Sequence, residues 1–241
     1  MLLISEKAAI IKQKNNIIYI GGNDMNYNDI LIKYIDKCPY DEPIFIEEIK
    51  DYFKKIVQDN FENTFKNIYV YINRLVKENK LSQFIKGIYY KPEKGVFGNK
   101  PLNINKVIEK KYLYDKNGTK GYFTGAYLFN KVGLTTQVPK EILIVTNECP
   151  NFNDYNNKNL GVTIRKPKTL INEDNYKYLQ LFDILINKDN IKIEVDNEKE
   201  IIYKFIEDNK LEFKKIFEYA NKINNLKPIM KLYELGGNNA K

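Results

Sequence analysis

The chain carries two arginines, Arg74 and Arg165, against 37 lysines. Arg74 stands beside two asparagines, Asn67 and Asn73, in a segment with apolar residues at helical spacing. Arginine bonds guanine O6 and N7 in bidentate fashion, and asparagine does the same to adenine N6 and N7. Lys66, Lys77, Lys80, Lys86 and Lys91 surround them in sequence and supply the charge that phosphates attract. With Asn63, these nine residues are the candidate DNA contacts.

Catalytic chemistry has little to work with. The chain has no histidine, so the usual general base and the commonest metal ligand are missing. Ser5 and Ser82 are the only serines and have no histidine to activate them. Cys38 and Cys149 are isolated, which makes neither a disulfide framework nor a zinc site and fits a reducing cytoplasm. No phosphate-cradling glycine loop occurs. Lys192, Glu194 and Asp196 alternate as one face of a strand would place them, and a nuclease centre uses such residues. The solvated face of any half-buried strand shows the same alternation. No catalytic centre, metal or cofactor is expected.

The elements that must hold the basic residues can be read from residues 63–92, NTFKNIYVYINRLVKENKLSQFIKGIYYKP. Phe65, Ile68, Tyr69, Ile72, Leu75 and Val76 form one apolar helical face, with Asn63 or Thr64 as its cap. Lys66, Asn67, Val70, Asn73, Arg74 and Lys77 form the other. The helix ends at Asn79 and Lys80. Two β-prone runs follow about Ile85-Lys86-Gly87, where glycine permits a positive φ, and Pro92 closes the pairing. Two helices are expected ahead, over 29–37 and 43–53. That order, helices and then a hairpin, is a winged helix-turn-helix over residues 27–94, preceded by a weakly structured leader, 1–26. The leader is expected to hold a helix at 7–14, a strand at 16–20 and a break at 21–23.

Charge sorts along the same boundaries. Residues 27–62 have net charge −4 and residues 63–100 net +6, within a chain of +8. An acidic back and a basic face suit docking on duplex DNA. Residues 101–140 continue at +5, with Lys106, Lys110, Lys111, Lys116 and Lys120 as further phosphate contacts or as ordinary solvated lysines.

Gly95, Gly98 and Pro101 mark a linker to a second α+β unit, 101–241. Helices are expected over 104–112, 122–132, 176–186, 198–207, 211–223 and 229–235. Strands are expected over 141–146, 162–165 and 191–196, with 151–159 as a polar loop or hairpin tip. No run of ~18 apolar residues suggests a membrane span, and the first residues are charged too early for a signal peptide.

Residues 122–147, YFTGAYLFNKVGLTTQVPKEILIVTN, resemble the AbiEi-like antitoxins of type IV toxin–antitoxin and abortive-infection systems, in a branch catalogued as a domain of unknown function. The matching phrases are Gly87-Ile88-Tyr89-Tyr90-Lys91-Pro92 and Gly133-Leu134-Thr135-Thr136-Gln137-Val138-Pro139, and the likeness covers roughly residues 27–190. It implies an N-terminal domain that represses its own operon at operator DNA. It also implies a second domain needed to neutralise a nucleotidyltransferase toxin, with or without direct contact. Thr135, Thr136 and Gln137 either hold an anion or base, or cap the local turn. The alternative function is a protein-binding module that uses the winged helix as scaffold.

Overall fold

The computed structural model describes residues 13–237 except 15, 16, 21, 22, 57–60, 97, 151 and 152, and describes only the backbone of 13–25, 61–67 and 237. The chain is α+β and divides into two compact units, Met1–Val107 and Ile108–Lys241.

The first unit opens with an antiparallel meander, β1 (Gln13–Lys14), β2 (Ile17–Ile20) and β3 (Asn23–Asn26). The strand expected near 16–20 is present. Gln13 and Lys14 are strand where a helix was expected, because they pair with Ile18 and Ile17. The rest of that expected helix lies outside the described residues, as do Gly21 and Gly22 of the expected break, whose third residue, Asn23, opens β3.

Helix α1 (Tyr27–Lys37) starts at Asn26, whose side chain accepts from the Asp29 N–H while the Asp29 carboxylate accepts from the Asn26 N–H. A two-residue strand, β4 (Ile44–Phe45), then precedes α2 (Ile46–Ile56). The helix expected from Pro43 therefore begins three residues later: Ile44 and Phe45 pair with Tyr89 and Ile88, and the Glu48 carboxylate accepts from the Phe45 N–H at 3.0 Å.

Helix α3 (Phe61–Lys77) follows, then the hairpin of β5 (Ser82–Ile85) and β6 (Ile88–Tyr90). Asn63 and Thr64 lie inside α3 rather than at its cap, because the helix begins at Phe61. Gly87 turns the hairpin at φ +85, and the sheet order is β4-β6-β5. Ile68, Ile72 and Leu75 of α3 bury against Tyr27, Leu31, Ile49 and Phe53 in one core. Tyr69, expected on the inner face, is exposed at 38%. A second short hairpin, β7 (Lys94–Gly95) and β8 (Gly98–Asn99), occupies the expected linker.

The boundary between the units falls in α4 (Ile104–Ile108), which gives way to a π turn, Glu109–Leu113, instead of running on as one helix to Tyr112. A small hairpin, β9 (Tyr114–Asp115) and β10 (Gly118–Thr119), leads into β11 (Gly121–Thr124) and α5 (Gly125–Val132). The single helix expected from Tyr122 is thus strand and then helix. Tyr122–Thr124 pair with Val145–Leu143, and Gly125 turns the chain at φ +63. Gly133 closes α5 in the left-handed region, as expected.

Strands β12 (Ile142–Thr146), β13 (Tyr155–Asn157) and β14 (Val162–Arg165) complete a sheet of order β11-β12-β14-β13, with β12 and β14 parallel. Helices α6 (Tyr176–Asn187), α7 (Glu198–Asp208), α8 (Phe213–Lys222) and α9 (Lys227–Gly237) follow. Leu181, Phe182 and Leu185 of α6 share the core with Phe129, Ile202 and Ile216. The segment 191–196 is not a strand. Ile191, Ile193 and Val195 do turn toward the core, but no strand among the described residues pairs with them.

Candidate functional site

Burial of Ile68, Ile72 and Leu75 decides which face of α3 meets solvent. Val70, Asn73, Arg74 and Lys77 are exposed at i, i+3, i+4 and i+7 and line one shallow concavity of 370 Å³. The Arg74 guanidinium lies 5.9 Å from the Tyr71 ring centroid, a loose cation–π contact that leaves its N–H fork available. Val70, 60% exposed, adds an apolar surface of the kind that meets a thymine methyl. In the sequence it falls on the polar face, where an isolated valine carries no polar group to mark it as a contact. Asn63, Lys66 and Asn67 belong to α3 by backbone, and their side chains lie outside the described residues.

The remaining candidates separate. Lys86 is exposed at the β5–β6 turn. Lys80 is exposed too but bonded to Glu78 at 2.8 Å. Lys91 does a structural job: its ammonium donates to the Cys38 carbonyl at 3.1 Å and the Asp36 carbonyl at 3.4 Å, and lies 4.3 Å from the Tyr40 ring centroid. It thereby ties β6 to the C-terminal end of α1, where a cation is favoured. Of the other lysines considered as phosphate contacts, Lys106 pairs with Glu42 at 2.8 Å and Lys120 with Glu148 at 3.6 Å.

The Thr-Thr-Gln phrase holds a carboxylate of the same chain. Glu194 accepts from the Thr135 hydroxyl (3.1 Å), the Thr136 N–H (3.1 Å), the Thr136 hydroxyl (2.7 Å) and the Gln137 amide (2.9 Å). Its own N–H donates to the Leu134 carbonyl at 3.2 Å. These bonds, the Thr136 hydroxyl foremost, pull the Glu194 pKa from the usual 4.5 to about 2. A carboxylate so saturated is a poor metal ligand, and among the described residues no three Asp, Glu or Cys side chains converge on a metal position.

Deeper in this unit, Asp183 accepts from the Thr124 hydroxyl at 2.6 Å and meets the Tyr122 hydroxyl. Burial raises the pKa of Asp183 and pushes the Tyr122 phenol up with it.

Residues 47–212 match a family of unknown function, DUF6088. The chain belongs to the DUF6088 family. No curated protein matches it. The DUF6088 span begins in α2 and ends ahead of α8. It contains α3, the β5–β6 hairpin and both halves of the Thr136–Glu194 contact, and leaves out β1–β4, α1, α8 and α9. No described helix is long and apolar enough to cross a membrane.

Proposed function

We propose that this DUF6088 chain is a DNA-binding antitoxin and autorepressor of a type IV, abortive-infection-type toxin–antitoxin operon, working in the bacterial cytoplasm. The observation that carries the DNA-binding part is the exposed face of α3, where Val70, Asn73, Arg74 and Lys77 line one concavity directly ahead of a hairpin tipped by Lys86. On this reading, helices α1 to α3 with the β4-β6-β5 sheet are a winged helix-turn-helix. The α3 helix enters the major groove, which is ~12 Å wide and admits one helix. Asn73 and Arg74 read base edges there. Lys77 and Lys86 neutralise phosphates and release counterions. The antitoxin part rests on the resemblance of the Gly87–Pro92 and Gly133–Pro139 phrases, with a nucleotidyltransferase as the toxin it opposes, directly or functionally.

The test is fluorescence anisotropy on the duplex upstream of the chain's own gene, for the parent protein and the Arg74→Ala, Lys86→Ala double variant. Unchanged affinity in the double variant would sink the assignment. A protein-binding reading draws on one observation: Phe213, Phe217, Met230 and Tyr233 of α8 and α9 are each at least half exposed. That reading predicts no salt-dependent retention on DNA.

A further inference from the structure

The unit Ile108–Lys241 has a basic cluster that the α3 reading does not use. Lys131, in the last turn of α5, places its Nζ 5.4 Å from the ring centroids of both Phe123 and Tyr127, which are themselves 4.5 Å apart. Lys177, in the first turn of α6, lies 5.1 Å from the Tyr176 centroid and 5.8 Å from that of Phe205. Lys131 and Phe205 line one cleft of 440 Å³ with Gly133, Lys204 and Asn209. Asp208 also lines it and is ion-paired with neither lysine.

Three other half-buried lysines have a carboxylate, Lys120 with Glu148, Lys188 with Glu198, and Lys231 with Asp189 and Glu234, while Lys111 and Lys199 lie on the Tyr112 and Tyr203 rings. Lys177 is half-buried and has no carboxylate among the described residues. Its first helical turn holds no acid, and a helix N-terminus adds positive potential of its own. Burial lowers its pKa first and the facing charge of Lys131 second. Aromatic faces stabilise a cation without neutralising it. Lys131 is exposed and solvated, but a half-buried ammonium without a carboxylate, as at Lys177, costs folding stability, and an anion that carries a flat ring would offset that cost.

We infer that the surface joining this cleft to the neighbouring Lys177 and Tyr127 binds a nucleoside phosphate, with the phosphate between Lys131 and Lys177 and the base against the Phe205 and Tyr127 rings. A single-stranded nucleic acid and a free nucleotide share that chemistry. The site is independent of α3, so its test uses the full chain with Arg74→Ala and Lys86→Ala already in place.

Fluorescein-labelled oligothymidylate is titrated by anisotropy, with AMP as competitor, and AMP is titrated directly by calorimetry. The expected result is binding that weakens at least tenfold in Lys131→Gln, Lys177→Gln, with a salt slope shallower by about 1.4 if a strand is the ligand. Phe205→Leu should weaken binding about tenfold with the slope unchanged, since a stacked base contributes on the order of 1–3 kcal/mol. Competition by AMP assigns the free nucleotide, and strand binding without competition assigns the strand. The double glutamine variant should melt at or above the parent temperature, because a like-charge repulsion is gone. The inference is overturned if neither probe binds the parent, or if both bind the glutamine variant equally well.

Discussion

Thr136 donates twice to Glu194, from its N–H at 3.1 Å and its hydroxyl at 2.7 Å, and so ties the loop after α5 to the segment before α7. The two residues are 58 positions apart. The contact gives the Thr-Thr-Gln phrase a physical reason within the fold: three residues in a row supply four donors to one carboxylate.

The first prediction follows from that contact. A carboxylate whose pKa is depressed in the fold contributes stability that is full above its unfolded value and is lost as pH falls through its folded value. For Glu194 the window runs from 4.5 down to about 2. Glu194→Gln, whose amide cannot accept from all four donors, should lower the melting temperature at neutral pH and flatten the acid limb between those values. Thermal melts at a series of pH values check it.

Asp183 carries the opposite sign. Its pKa is raised by burial, so its contribution is full below the unfolded value and is lost as pH rises toward the folded one. An unfolded aspartate titrates near ~3.9. Asp183→Asn should therefore flatten the fall in stability as pH rises from about 4 toward neutral, read by melts at both ends of that range.

A Cβ on Gly121 would land on the Tyr112 carbonyl and press on Thr146, where β11 passes the π turn. Gly121→Ala should cost about 1–3 kcal/mol, as overpacking does. Urea denaturation measures it, and an unchanged midpoint would contradict the close approach.

For the proposed DNA interface, Arg74→Ala should weaken operator binding by about 1–3 kcal/mol and relax discrimination at one base position. Lys86→Ala should weaken all sequences alike and reduce the salt slope by about one. Competition binding with operator and scrambled duplexes separates the two effects.

What could be read from the sequence was local. Ile68, Ile72 and Leu75 announce their helix because burial of one face imposes a period on consecutive residues, and Gly87 and Gly133 mark turns that need a positive φ. Tyr122–Thr124 read as helix in the sequence because the strand is short and runs straight into α5, while its pairing partners lie some twenty residues on. The alternation at Ile191, Ile193 and Val195 correctly gave one face to the core, yet a strand also needs a neighbour. Lys91 looked like its exposed counterparts until the fold placed it on the carbonyls of Asp36 and Cys38. The Thr136–Glu194 bonds and the facing of Lys131 and Lys177 join distant positions, and no spacing rule encodes them.

The central claim is met most directly by a gel shift of the purified chain on its own upstream DNA, with scrambled competitor, at two salt concentrations. The account predicts a shift that survives scrambled DNA and weakens with salt in proportion to the phosphates neutralised. A shift that scrambled DNA erases, or none, would contradict it.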